Sequence, residues 1–400
     1  MRIAGIIAEY DPFHKGHAAH IAATKAKSGG NATHVVAVIS GHFTQRGEPA
    51  LLSKFCRTEM ALAAGVDLVL ELPLPWAMAP AEQFAAGGVA ILKALGCVDL
   101  LSFGSECGEI DTLKTLANLA DTPDYQTILK EKLASGLPYA AASQATAANL
   151  VGEKVATALA SPNNTLGIEY LRAATRQRAN FEAFTLLRQG ALHNENAPNQ
   201  GIAAASLLRS LVLAGNTEEA VTYMPEATEA LLKQAILNGS APANKQRLED
   251  SVPTLLRRMK VDDFAALPWL SEGLENRLYN LSRTAADYDT LLEQLKTRRY
   301  PIARLRRVIW SAVLGLTAKD TTDLPPYIRV LGMNTRGREI LSVANPTLPI
   351  LTRTAQLEEL DQRCRRVFEL ECIATDLHAL TKPTPAPCGT DHTHKLCIKE

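Results

Sequence analysis

Glu9-Tyr10-Asp11-Pro12-Phe13-His14-Lys15-Gly16-His17 is the stretch from which the fold can be read. It follows a short apolar run, Arg2 to Ala8, and leads into His17 to Lys27, whose alanines and lysines favour a helix. The order is strand, loop, helix. At such a junction the spacing puts His14 in the loop and His17 on the first helical turn, where unpaired backbone N–H groups attract an anion. Gly16 lets a ligand approach the backbone closely, while Pro12 and Phe13 fix and pack the loop. Two imidazoles beside a helix start point to a polyphosphate site. Two other readings stand beside it. One is a polar turn without chemistry; the other is a metal site, because His14, His17 and His20 are spaced as ligands, although no Cys or acid at a matching distance completes a zinc pattern.

Outward from this stretch the alternation repeats. His34 to Ile39 and Asp67 to Leu72 read as strands, Ser53 to Ala64 and Ala81 to Leu95 as helices, and Val98 to Phe103 as a further strand. Strands separated by helices imply a mostly parallel sheet covered on both faces, an α/β Rossmann-like fold. After Ile110 to Leu119, Tyr125 to Leu133 and Tyr139 to Leu159, which favour helices, Phe181 to Leu187 reads as a late strand and Gly201 to Leu213 as a helix at the sheet edge. The sequence therefore predicts a Rossmann-like catalytic domain over 1–215, a mainly helical C-terminal domain over 216–380, and a flexible tail over 381–400, which carries three prolines and few apolar residues after Lys382.

Composition narrows the class. With 400 residues and 46% hydrophobic content the chain can build a sizeable core, and 42 basic residues balance 42 acidic ones, so any nucleic-acid partner would have to be met by a local patch. Seven cysteines without dense spacing argue for free thiols in a reducing compartment. The longest apolar runs, such as Val66 to Leu74, fall well short of the roughly 20 residues a bilayer span needs. The expectation is a cytoplasmic protein with no membrane partner.

His14-Lys15-Gly16-His17 after a first strand resembles the HxGH signature of the nucleotidyltransferase superfamily that includes the class I aminoacyl-tRNA synthetases. Three longer blocks are similar to the bacterial tRNA(Met) cytidine acetate ligases: GIIAEYDPFHKGHAAH at 5–20, SGHFTQRGEPA at 40–50 and SKFCRTEMALAAGVDLVLELP at 53–73. The resemblance continues through FGSE at 103–106, SPNNTLGIEYLRA at 161–173, LLRQGALH at 186–193 and PYIRVLGMNTRGREIL at 326–341. It implies that ATP is spent to activate acetate as acetyl-adenylate, and that the acetyl group passes to N4 of the wobble cytidine, position 34, of elongator tRNA(Met). His14 and His17 are the implied catalytic pair. ATP contacts are implied for Ile7, Ala8, Glu9, Tyr10, Asp11, Pro12, Phe13, His14, Lys15, Gly16, His17 and His20, and for Gly104, Asn163 and Arg188. Ser206 and Arg209 resemble, in part, the superfamily's second phosphate motif.

Asp11 stands where the family often has asparagine, and its charge beside a triphosphate needs an offset for which Lys15 is the nearest candidate. Mg²⁺ is expected to arrive with ATP, held by phosphates and water, with no dedicated protein metal site. For tRNA the best footprint is the acid-free run from Lys296 to Arg307, with Lys296, Arg298, Arg299, Arg304, Arg306 and Arg307 as phosphate contacts and Tyr300 free to stack on a base. Arg46 and Lys54, near the second strand's exit, are further RNA contacts, and His42 and Gln45 are candidates for recognising acetate or cytosine. No DNA partner is expected. Two other functions fit the first domain or the patch alone: a nucleotidylyltransferase acting on a small phosphorylated metabolite, and a noncatalytic RNA-binding protein. Cys388, His392, His394 and Cys397 lie within ten residues, but without apolar support they read as tail rather than as a zinc module.

Overall fold

The computed structural model describes residues 1–188, 201–271, 273–297 and 300–400. Its centre is a sheet whose strands are β1 (Ile3–Ala8), β2 (His34–Ser40), β3 (Leu68–Leu72), β4 (Leu100–Ser105), β5 (Glu182–Leu187), β6 (Ile328–Met333), β7 (Ile350–Leu351) and β8 (Cys397–Ile398). The order is β5-β4-β1-β2-β3-β6-β7, with β8 paired to β6. β5, β4, β1, β2 and β3 run parallel, while β6 pairs antiparallel to β3. The predicted α/β fold with a mostly parallel sheet is what the structure has.

Seven helices matter for the site: α1 (Lys15–Lys25), α2 (Lys54–Ala63), α3 (Ala81–Leu95), α4 (Pro162–Arg176), α5 (Ala205–Leu213), α6 (Ile302–Leu314) and α7 (Gln362–Thr381). Side chains alternate along β1, so its last residues feed two cores. Ile6 packs with Tyr10, Phe13 and Ile21 on the α1–α2 face, and Ile7 packs with Phe84, Phe103 and Tyr170 on the α3–α4 face. The chain leaving β1 therefore stands on the ridge between the two layers.

Three expectations need correction. Residues 326–341 carry β6, so the C-terminal half, though mainly helical both before and after it, also returns a strand to the central sheet. Isolated in sequence and interrupted by Arg329 and Gly332, this strand has no repeating pattern to announce it. The seam expected near 215 is not where the packing changes, because Leu232 and Ala235 share a core with Ile21 and Val35. The helices that build a core of their own run from Leu248 to Leu316, closed by Phe43, Leu74, Leu370 and Ala374. Finally, 381–400 is no loose tail: Gly332 and Met333 of β6 pair with Cys397 and Ile398, and Asp391 is 1% exposed. A buried carboxylate has to have a charged partner, and it finds two in Lys54 and Arg329. Among the described residues no helix is long and apolar enough to cross a membrane.

Candidate active site

His14 caps α1. Its Nδ1 accepts the Gly16 N–H at 3.1 Å, and its own N–H donates to Nδ1 of His17 at 3.2 Å, a reciprocal bond that helix starts usually make with a hydroxyl and an acid. With Nδ1 of both rings accepting, the hydrogen bonds assign the proton of each neutral imidazole to Nε2. The rings stack at 3.7 Å and 22°, and Tyr10 and Phe13 press on His17 from behind. Burial, then Arg188 and Arg209, lowers His14 to about 3; burial and His14 hold His17 well below its usual value. Both are neutral Nε2–H donors at physiological pH, the form that suits a phosphate oxygen without a proton to lose. Gly16 is needed here, since a Cβ would come within 2.9 Å of His14 Cε1.

The pair opens on a cavity of about 430 Å³. The start of α1 meets Pro162 and Asn163 at the start of α4 and Ala204 to Ser206 at the start of α5, so three helix N-termini converge there. Arg46, Arg188, Arg209 and Arg307 line the same space. Ile7, Ala8, Glu9, Tyr10, Asp11, His20 and Gly104 join His14 and His17 in the lining, while Pro12, Phe13, Lys15 and Gly16, expected as ATP contacts, do not line it. Four guanidinium groups and three positive helix ends make this a polyanion site.

The charge on Asp11 is not offset by Lys15, whose ammonium turns away to the Thr222 carbonyl at 2.6 Å. Arg209 does it instead: its guanidinium lies 3.6 Å from the carboxylate and donates to the Asp11 carbonyl at 2.6 Å, while the Leu51 N–H holds the other carboxylate oxygen at 2.7 Å. Asn163 bridges two neighbours, donating to Glu106 at 2.6 Å and accepting from Arg188 at 2.9 Å. Glu106 also takes the N–H groups of Asn163 and Asn164, so it clamps the start of α4 to the β4 exit. The Gly104 backbone lies open beside Arg188, whose Cγ would sit 3.2 Å from an added Cβ. His20 bonds the buried Ser102 hydroxyl at 2.9 Å, and burial followed by Arg188 lowers it to about 4.

Sequence reasoning missed the residues that hold this shape. Glu106 ends the FGSE block, and its spacing suggests no role for it. Arg57 is fully buried and donates to the carbonyls of Glu9, Ser40, Gly41 and Leu52, tying the β1 exit to the loop after β2. Gly47, at φ +69, packs against the backbone of Arg306 and Arg307, which brings α6 up to the cavity.

The expected RNA contacts divide. Lys54 is withdrawn: it is 0% exposed and bound by Glu71 at 2.6 Å, Asp391 at 2.8 Å and Glu371 at 3.3 Å. An ammonium with three acidic neighbours and no solvent access cannot meet a phosphate. His42 is likewise buried, bonded to Thr375, and does not line the cavity, whereas Gln45 does. Tyr300 is 7% exposed and cannot stack on a base; it lies under the Arg304 guanidinium, which donates to Trp269 and Ser271. Arg306 pairs with Glu48 at 2.7 Å, and Arg307 donates to the Gln45 carbonyl at 3.1 Å. Lys296 is exposed; Arg298 and Arg299 lie outside the described residues. In the C-terminal segment His394 stacks on Phe55 at 3.7 Å, and His392 meets Cys372 at 3.4 Å.

A paired-imidazole turn at the exit of the first parallel strand, with helix starts gathered over it, defines a nucleotidyl transferase, and the HIGH Nucleotidyl Transferase family model matches residues 1–391. Among curated proteins the chain is 37% identical to the tRNA(Met) cytidine acetate ligase of Acetivibrio thermocellus across all of both chains, and 35% identical to that of Alkaliphilus metalliredigens over 95% of this chain and 94% of the relative. The chain belongs to the tRNA(Met) cytidine acetate ligase family, and is a ligase. Its fold is that of Thermotoga maritima TmcAL, both bound with alpha-thio ATP (TM-score 0.91) and apo (0.93), each at 31% identity over 100% of this chain and 99% of the other.

Proposed function

We propose that the protein uses ATP to activate acetate as acetyl-adenylate and then acetylates N4 of the wobble cytidine, position 34, of elongator tRNA(Met), giving N4-acetylcytidine. The observation that carries this reading is the stacked His14–His17 pair, whose Nε2 protons are left for a phosphate by backbone bonds to both Nδ1 atoms. The name of the curated relatives and the nucleotide analogue bound to the Thermotoga protein support it.

In the first step an acetate oxygen forms a bond to the α-phosphorus as the bond to pyrophosphate breaks. No protein nucleophile is required. His14 and His17 donate to the oxygens of the phosphorus under attack, while Ser206, Arg209 and the α1 and α5 starts take the charge of the departing pyrophosphate. Gly104, Asn163 and Arg188 then face the nucleoside end. Mg²⁺ arriving with ATP would be held by the phosphates and by water, since Asp11 is committed to Arg209 and Leu51, and Glu9 accepts the Gln45 N–H at 2.7 Å.

In the second step N4 of cytosine attacks the acetyl carbonyl, the bond to AMP breaks, and N4 loses a proton. The amine is a poor nucleophile because its lone pair is delocalised into the ring, so the base has to be held out of the stack and close. An anticodon loop already exposes it. We assign the approach of the RNA to the rim where Arg46 and Arg307 line the cavity, with Arg306 and the exposed Lys296 as further phosphate contacts, and the grip on the rest of the tRNA to the helical core of residues 248–316.

Mass analysis of tRNA after incubation with ATP and acetate tests this directly. A gain of one acetyl group mapped to the wobble cytidine is the expected result. Adenylyl transfer to a small acceptor without acetate, or tight tRNA binding without acetate-dependent pyrophosphate release, would replace the reading with another.

A further inference from the structure

The cavity lining falls into two chemically distinct sets, the polar residues around the imidazole pair and an apolar set that the nucleotide contacts proposed above do not use. In the apolar set Ile7, Phe84, Phe103, Leu166 and Tyr170 form a recess on the α3–α4 side of β1, opposite the side that carries α1. Phe84 is 2%, and Phe103 and Tyr170 are each 4% exposed. We infer that this recess is the subsite for the acyl chain of the carboxylic acid, and that Phe84, together with Ile7, sets how long that chain can be. The inference rests on the acid-activation reading of the same site.

Two arguments lead there. Displacement at phosphorus puts the attacking and leaving oxygens roughly in line. With pyrophosphate held toward the starts of α1 and α5 by Arg209, the acid has to arrive from across the β1 exit, which is where the recess lies. The second argument is charge. The five recess residues carry no charge, whereas His14, His17 and four arginines stand elsewhere in the lining, so a carboxylic acid enters with its alkyl group in the recess and its oxygens toward the phosphorus. A short acid thus binds in the reactive orientation without any residue dedicated to its carboxylate.

The walls cannot retreat to admit a longer chain. A Cβ on Gly88 would lie 2.6 Å from Ile7 Cδ1, and one on Gly167 would lie 2.6 Å from Phe103 Cε2, so helix backbones already touch the backs of both side chains. Extra methylenes in a close-packed site force strain, and one methylene in such a pocket is worth about 10- to 200-fold in kcat/KM.

The experiment compares acyl-adenylate formation from acetate, propionate and butyrate by the full-length wild type, Phe84→Leu, Phe84→Val and the milder Ile7→Val, which removes one methyl from the facing wall. The expected result is a rise of about tenfold or more in the propionate-to-acetate ratio of kcat/KM for Phe84→Val, with smaller rises for the other two. An unchanged acid ratio in Phe84→Leu and Ile7→Val overturns the assignment, as does a higher KM for ATP that is the same with every acid, which would place the adenine in the recess. Failure of the wild type to form an adenylate from any acid with ATP defeats the activation reading itself, and is told apart from failure of the recess by being independent of all three substitutions.

Discussion

The carboxylate of Asp391 lies 2.8 Å from the ammonium of Lys54, and both side chains are closed off from water. Arg329 reaches the same carboxylate at 2.6 Å, and Glu71 bonds both cations. Glu371, beside Lys54, is raised well above the usual carboxylate range by burial and then by Glu71, which favours its neutral form. Lys54 and Arg329 are thus shared between Glu71 and Asp391, and the second of these carboxylates is delivered by the last twenty residues.

Asp391→Ala is therefore expected to destabilise the protein by about 3–5 kcal/mol, because it leaves buried positive charge without a partner. Removing residues 382–400 should cost at least as much. Urea denaturation measures both, and a change under about 1 kcal/mol for Asp391→Ala would mean that the cluster is not closed in solution.

His14 has two separable tasks, since Nδ1 caps the helix and Nε2 faces the cavity. Asparagine is among the best capping residues but does not reach as far, so His14→Asn should keep thermal stability near that of the wild type while lowering acetate-dependent pyrophosphate release by about 10²- to 10³-fold. His14→Ala should lose the activity and also about 1 kcal/mol of stability. Equal activity in His14→Asn and wild type would remove the imidazole from the chemistry.

Acid should unfold the protein through its buried histidines. His378, with Nε2 on the Ala50 carbonyl, is lowered to about 3 by burial, and His42 beside it is also held well below its usual value. The unfolded chain binds these protons near pH 6.5 and the folded chain does not. Stability is thus complete above about pH 6.5 and is lost as pH falls toward 3, by about 1.4 kcal/mol per pH unit for each such histidine. His378→Gln should flatten the slope of stability against pH in this window by about one proton; an unchanged slope would show that His378 is already charged in the folded state.

Neutralising Lys296 and Arg306 together should weaken tRNA binding and reduce the slope of log affinity against log salt by about 1 for each phosphate no longer neutralised. Lys296 should contribute more, because Arg306 is already shared with Glu48. Filter binding across a salt series measures this, and an unaltered slope would move the RNA to another face.

Much of the site was legible because it is local. The strand-exit loop, both histidines and the start of α1 lie within nine consecutive residues, and their spacing alone puts two imidazoles at a helix N-terminus. Gly104, Asn163, Arg188, Ser206 and Arg209 came from resemblance, and all five line the cavity. The brace of Arg57, the clamp of Glu106 and the recess of Phe84 and Tyr170 had no sequence signal, since each looks like an ordinary residue of its own helix or turn.

What the sequence determined by itself was the alternation of strands and helices and the imidazole pair at the first strand's end, because periodicity and close spacing act over a few residues. Only the tertiary structure decided the partners of charge. Arg209 rather than the adjacent Lys15 neutralises Asp11, and Lys54 disappears into a cluster completed by Asp391. Electrostatic energy depends on distance through space and on the exclusion of water, and neither is written in the distance along the chain.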